Sequence, residues 1–404
     1  MIVLVINAGS SSLKYQLFDM RDASVLAKGV CERIGLGGKI THKTADGRAF
    51  CFDADMPNHT AAFRQVEKSL ISGEGKVLDS MSEISAVGHR VVQGGAIYNT
   101  AVLLDEQAIG NIDSLCDLAP LHNPAHIQGI RACFDVLGPD VPEVAVFDTA
   151  FHQTIPQKAF MYGIPYEYYE KYKIRRYGFH GTSHRYASKR CAKILGVPRS
   201  DSKIITCHLG NGSSLCAVKN GKSVDTTMGF TPLDGFMMGT RSGSLDPSVV
   251  TFLAEKENLD PGQISDLLNK RSGALGISGV SSDERDVLAQ ARGGNPRARL
   301  SQEMMRYQIA KYIGGFMSVL NGVDGIAFTG GIGENCPDLR EEVCEYFSYL
   351  GLRLDKEKNA KTMHGVETVI SAPDSNVPVV VVLANEELVI ARDAMAVIGE
   401  TDED

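Results

Sequence analysis

One string occurs twice in this chain. "VLVINAGSSSLKYQLFD" begins at residue 3 and "IITCHLGNGSSLCAVKNG" at residue 204, and Ser-Ser-Leu sits at 11–13 and again at 213–215. The offset is 202 in a chain of 404 residues. Each copy is a β-branched run, a Gly/Ser turn and a second strand-like run, the pattern of a hairpin. A repeat at half the chain length predicts two related lobes, and the length already favours two domains. The division falls near 150–200, with a cleft between the lobes.

Composition removes several classes. Charged residues are 22% and hydrophobic residues 43%, ordinary for a globular protein. A net charge of −8 argues against nucleic acid as partner. The nine cysteines stand singly, with no C-x-x-C pair, so a zinc ribbon and a dithiol motif are not visible. Dispersed thiols suit a reducing compartment. The first apolar run ends at Asn7, too short for a signal-peptide core or a membrane span. A soluble cytoplasmic protein is expected.

Strands with glycine turns are expected over 20–60, and a helical pattern from about 60. Short buried strands follow at "ISAVGHRVVQGG" and "EVAVFDTAFH". In the second half "KNGK" is an Asn-Gly hairpin turn. Helices are expected around 247–270 and 297–320. "GIAFTGGIGENCPDLREEVCEYF" reads as strand, glycine loop, helix, and "VPVVVVLANEELVIARDAM" as strand then helix. Strands alternating with helices make an α/β protein.

Several motifs point to phosphate. Glycine allows close backbone approach, and turn N–H groups with serine hydroxyls form anion cradles. Two such turns on two lobes suit a polyphosphate, although a single one is equally an ordinary hairpin. "GGIGEN" at 330–335 joins a strand to a helix, with Asn335 placed to cap that helix and Pro337 in its first turn. It is neither a dinucleotide fingerprint nor a P-loop. Arg90 and Arg241 lie among glycines, and a guanidinium forks onto phosphate or carboxylate. His122/His126 and His180/His184 have i, i+4 spacing, but a histidine donating to a developing oxyanion fits better than a metal pair. Asp148 ends a buried strand. Glu386 and Glu387 follow Asn385 at a strand–helix junction. They are either first-turn acids behind an Asn cap or a carboxylate for Mg²⁺ held partly through water. Phosphoryl transfer needs these parts, and a carboxylate acceptor is already nucleophilic near pH 7 without a general base.

With those residues assembled, the chain resembles the acetokinase family, within the acetate and sugar kinase/heat-shock chaperone/actin superfamily. The resemblance runs from end to end. It is carried by "NAGSSSLK" (7–14), "GHRVVQGG" (88–95), "APLHNPAH" (119–126), "VFDTAFH" (146–152) and "RRYGFHGTSH" (175–184). "HLGNGSS" (208–214), "TPLDGFMMGTRSGSLDP" (231–247), "FTGGIGEN" (328–335) and "NEELVIA" (385–391) complete it. The resemblance implies a duplicated actin-like, ribonuclease H-like fold with a central cleft. One lobe would be 1–149 with the C-terminal helix 386–404, carrying the first phosphate loop and the acyl site. The other would be 150–385, carrying the second loop and the adenosine site.

It implies reversible phosphoryl transfer from ATP to acetate, with Mg²⁺ or Mn²⁺, by a homodimer. Carried over by motif, Asn7 and Glu386 would position the metal. Lys14, Ser12, His208, Leu209, Gly210, Asn211, Gly212, Asp283, Glu284 and Arg285 would contact ATP, with Gly330, Gly331, Ile332, Gly333, Glu334 and Asn335. Arg90 would bind the acyl carboxylate beside the essential acid Asp148. His180 and Arg241 would stabilise the transition state. Val92, Leu121, Phe179 and Pro232 would line the pocket for the acyl methyl. Two positions depart from the family: Gln93 stands where histidine is frequent, and "LANEE" replaces a proline-threonine lead. The alternatives are a propionate or longer-chain acyl kinase, a chaperone-like nucleotide switch and an actin-like filament protein. Val92 argues against the first, and no residues remain for the peptide-binding domain of the second.

Overall fold

The computed structural model describes residues 1–400. The chain divides into two compact units. One is Met1–Ala150 with the segment from Asn385, and the other is Phe151–Ala384.

The first unit is built on one eight-stranded sheet. Its strands are β1 (Ile2–Gly9), β2 (Ser12–Asp19), β3 (Ser24–Glu32), β4 (Gly38–Thr44), β5 (Ala49–Ala54), β6 (Ile84–Val91), β7 (Val102–Leu103) and β8 (Glu143–Phe147). Their order is β5-β4-β3-β2-β1-β6-β8-β7, with β1, β6 and β8 parallel. Alternation along β1 explains the layers, because successive side chains of a strand point to opposite faces. Leu4 and Ile6 pack with Phe63 and Val66 of helix α1 (His59–Ile71). Ala132 and Cys133 of α3 (Asn123–Leu137) join the same cluster. Val3 and Val5 pack on the other face against Leu388, Ile390 and Ala391 of the last helix, Glu386–Val397. Each such aliphatic side chain, fully buried, contributes about 1.5–3 kcal/mol. Helix α2 (Glu106–Ser114) packs near the β8 edge through Ile109 and Ile112.

The second unit opens with α4 (Gln157–Phe160), α5 (Tyr166–Tyr172) and α6 (Gly181–Leu195). Its six-stranded sheet comprises β9 (Lys203–His208), β10 (Ser214–Lys219), β11 (Lys222–Thr226), β12 (Gly325–Thr329), β13 (Thr368–Val369) and β14 (Val379–Val381). The order is β11-β10-β9-β12-β14-β13, with β9, β12 and β14 parallel. Its helices continue as α7 (Pro247–Glu257), α8 (Pro261–Lys270), α9 (Gly273–Ser278), α10 (Glu284–Arg292) and α11 (Pro296–Leu320). Then come α12 (Gly330–Asn335), α13 (Pro337–Glu345) and α14 (Lys356–Lys361), and the last helix of the chain is α15. The same logic recurs. Ile205, Cys207 and Phe328 face α11, whereas Ile204, Ala327 and Val380 face α6. Both units therefore contain an antiparallel three-strand meander followed by two parallel strands, the duplicated α/β core of the actin-like fold. No described helix is long and apolar enough to cross a membrane.

Candidate active site

In the first unit the chemistry gathers where the parallel strands end. Arg90 is the penultimate residue of β6, and Asp148 follows β8 directly. Arg90 Nε and Nη2 donate to Asp148 Oδ1 and Oδ2 at 3.0 and 2.7 Å, a bidentate pair. The Asp148 carboxylate is buried, at 2% side-chain exposure against 23% for Arg90. Burial opposes the guanidinium's charge. Asp148, with Glu386 and Glu387 beyond it, more than offsets that, so Arg90 stays charged at any working pH. Glu386 starts α15, and burial pushes its carboxyl above the ordinary range while Arg90 pulls it down and Asp148 pushes it further up. Asn385 precedes the helix but makes no capping bond with its side chain, so the simple cap reading fails there. Asn7 and Lys14 face each other in the β1–β2 ladder, with Ser12 opening β2. Val92 is buried and Leu121 is exposed.

In the second unit a different set converges. His180 sits immediately before α6 with a left-handed backbone, φ +55°. The Ser214 hydroxyl bridges two imidazoles, His180 Nδ1 at 2.8 Å and His184 Nε2 at 2.7 Å. His184 Nδ1 lies 2.7 Å from Thr206 Oγ1. Burial first, then His152 and His208, push His184 well below its ordinary range, so it is a neutral relay in this network. The rings of His180 and His208 are 4.3 Å apart. A Cβ added at Gly212 would stand 3.2 Å from Arg241 Nη1 and 3.8 Å from His180 Nε2. The tip of the 209–213 turn thus lies against both. Arg241 Nη1 donates to Pro232 O at 3.3 Å. Phe179 is buried, and its carbonyl is held by His152 Nε2 at 2.9 Å.

A cavity of about 710 Å³ opens beside this turn, within the usual range for small-molecule sites. Gly210, Asn211, Asp283, Glu284, Arg285, Gly331, Ile332 and Asn335 line it, together with Ser282, Leu288, Cys336 and His364. His208, Leu209, Gly212, Gly330, Gly333 and Glu334 do not line it, and Lys14 and Ser12 belong to the other unit. Glu284 is turned inward, with Oε1 3.2 Å from both Arg306 Nη2 and Gln302 Nε2.

The "GGIGEN" segment differs from its expectation. It is a short helix, not an open loop, and much of its backbone is already engaged. Leu209 O accepts from Ile332 N at 2.8 Å and from Gly333 N at 3.2 Å. Glu334 Oε1 accepts from Gly330 N and from Ala384 N. Gly330, at φ +79°, must be glycine, because a Cβ there would meet Leu209 O at 2.7 Å. Asn335 is not the cap of α13. Cys336 precedes that helix, while Asn335 Oδ1 accepts from His364 N.

Residue patterns alone did not reveal the supports. The Ser214 bridge needs the β9–β10 register, which places Ser214 opposite His208. Arg340 is fully buried and donates to Asn359 Oδ1 and to the carbonyls of Gly333, Glu334, Asn359 and Thr362, each at 2.8 Å. All five of its N–H groups are matched, although burial lowers its pKa to about 10. The i, i+4 histidine pairs form no metal-like cluster among the described residues. The one group with such chemistry is His89, Cys133 and Glu143, where His89 Nε2 and Glu143 Oε2 pair at 2.6 Å.

The acetokinase family model matches residues 2–392. The chain belongs to this family. It is a kinase that transfers phosphate to a carboxylate. Its sequence is 54% identical over 400 residues to the acetate kinase of Thermotoga maritima, covering 98% of this chain and 99% of that one. It is 56% identical to that of Thermosipho africanus, covering 98% of each. The crystal structure of Porphyromonas gingivalis acetate kinase superposes with a TM-score of 0.94 at 45% identity, covering 98% of this chain and 99% of that one. A propionate kinase from Francisella tularensis gives 0.91 at 39%, with the same coverage.

Proposed function

We propose that the chain makes acetyl phosphate and ADP from acetate and ATP by direct in-line transfer, each unit supplying half of the machinery. The supporting observation is the bidentate Arg90–Asp148 pair. Asp148 takes the Nε edge of the guanidinium and fixes its plane. The Nη1 side is then oriented toward a second carboxylate, that of acetate. In the first unit, Val92 and Leu121 border the methyl group in this reading.

In the second unit, Asn211, Gly331 and the 283–285 segment hold the nucleotide, with Gly212 at the phosphates. His180 and Arg241 beside Gly212 donate to the oxygens of the migrating phosphoryl group, where charge must be held without reorganisation. Lys14 and Ser12 contribute from the first unit's turn. Oxygen donors suit a hard divalent cation, and Asn7 and Glu386 are such a pair. Glu386 fits because its half-buried carboxylate, pushed up by desolvation and by Asp148, would be relieved by a cation. Mg²⁺ bound there would neutralise charge on the β- and γ-phosphates. The protein works as a cytoplasmic homodimer in this reading.

The test is acyl phosphate trapping with hydroxylamine, using Mg-ATP and acetate, propionate and butyrate in parallel. Strong acetate activity falling with chain length supports the reading. Preference for propionate overturns the role of Val92, because one methylene is worth only about 1–3 kcal/mol and the pocket would have to be built differently. No product from any acid overturns the acceptor assignment.

A further inference from the structure

Helix α3 starts against the loop that follows Arg90. Its first residue, Asn123, is fully buried and ties down the loop after β6. Asn123 Oδ1 accepts from Gln93 N at 3.2 Å, and its Nδ2 donates to Gln93 O at 3.0 Å. Further along, Gly129 lets the helix approach the end of β1, since a Cβ there would lie 2.5 Å from Ala8 Cβ. His126 is three residues before Gly129, on the same helix face. It is 4% exposed, yet neither ring nitrogen has a hydrogen-bond partner. The Ala8 carbonyl is near enough to favour a protonated ring, but neither nitrogen meets it with hydrogen-bond geometry. Buried polar groups are nearly always paired, so an unpaired imidazole calls for a ligand. A second buried donor on the same loop, Gln93 Nε2, also lacks a partner.

The charged surroundings identify the ligand class. Burial first, then Arg90 and His122, hold the His126 ring down to about 3, against Asp148 and Ala8. The imidazole is therefore neutral and offers one N–H. We propose that His126 is a further substrate-contacting residue whose N–H donates to the acyl carboxylate held by Arg90. This rests on the acceptor reading above. The oxygen it takes is the one that does not attack phosphorus. As the other oxygen bonds to phosphorus, this one loses negative charge and becomes the acyl carbonyl. The bond is strongest to the bound acid, so losing it raises the acetate KM without lowering kcat.

The experiment compares wild type, His126→Leu and His126→Gln for acetate KM, ATP KM, kcat and Tm. The Leu variant is expected to raise acetate KM about 10- to 100-fold, the scale of a hydrogen bond to a charged group. ATP KM stays within about twofold, and Gln recovers most of the loss. Tm does not fall, because the replacement removes an unpaired polar group from the interior. An unchanged acetate KM overturns the proposal. So does a joint rise of both KM values with a lowered Tm, the mark of a structural histidine. If wild type makes no acyl phosphate, the acceptor reading fails by itself. The ¹⁵N shifts of the His126 ring on titration with acetate then decide: a shift sustains the contact, and none overturns it.

Discussion

The two Ser-Ser-Leu turns have the same sequence core and different structures. The first is a two-residue hairpin: Gly9 pairs with Ser12, and only Ser10 and Ser11 cross between the strands, both exposed. The second spans five residues, because His208 pairs with Ser214. Its Ser213 hydroxyl folds back to Gly210 N at 3.1 Å and to Gly210 O at 2.9 Å. Its Ser214 hydroxyl joins His180 to His184. Three extra residues convert an ordinary hairpin into a shaped loop, anchored at its base and wired to two imidazoles. Duplication supplied the frame, and only the longer second turn reaches two imidazoles. The first unit places its own charge elsewhere, on the Arg90–Asp148 pair at the strand ends.

The sharpest way to break this contrast is to remove a support found only in the second unit. Arg340→Met removes five hydrogen bonds; the Asn359 carbonyl keeps Thr362 N as a donor at 3.2 Å, and each buried acceptor left unmet costs about 1–3 kcal/mol before relaxation. A loss of about 3 kcal/mol or more is expected. Chemical denaturation checks it, with a raised ATP KM and little change in acetate KM. Next comes the pair of equivalent serines. Ser214→Ala is expected to lower kcat about tenfold, because His180 loses the bond that orients it. Ser12→Ala, its counterpart 202 residues earlier, is expected to act on ATP KM instead. Steady-state kinetics of the two variants side by side would show whether the turns differ as their geometry implies. The smallest effect belongs to the methyl pocket. Val92→Ala is expected to shift the propionate-to-acetate ratio of kcat/KM toward propionate by about tenfold, the size of one methylene.

Much of the fold was legible. The β-branched runs at 2–6 and 204–207 and the Asn-Gly turn at 220–221 announce their strands directly. Alternation within β1 and β9 places them between helical layers. Arg90, Asp148, His180 and Arg241 were visible as charged residues in glycine-rich or strand-end settings. What was not legible depends on long-range register. The span of the second turn is set by β9–β10 pairing, not by its own letters. "GGIGEN" resembled an open cradle, but Leu209 O and Glu334 take the N–H groups of Gly330, Ile332 and Gly333. Arg340 stands among acids in "PDLREEVCE", and only tertiary packing reveals its five acceptors. In sequence His126 stands i, i+4 from His122, and its burial beside Ala8 sets it apart.

The proposed function divides the labour: the first unit would hold the carboxylate and the second would stabilise the transferred phosphoryl group. Arg90→Ala and Arg241→Ala, measured together at saturating Mg-ATP over a range of acetate, test it most directly. A large rise in acetate KM is expected for Arg90→Ala. For Arg241→Ala a fall in kcat of about 10²–10³ is expected, with acetate KM little changed. Near wild-type kinetics in both variants, or the same pattern in each, would contradict it.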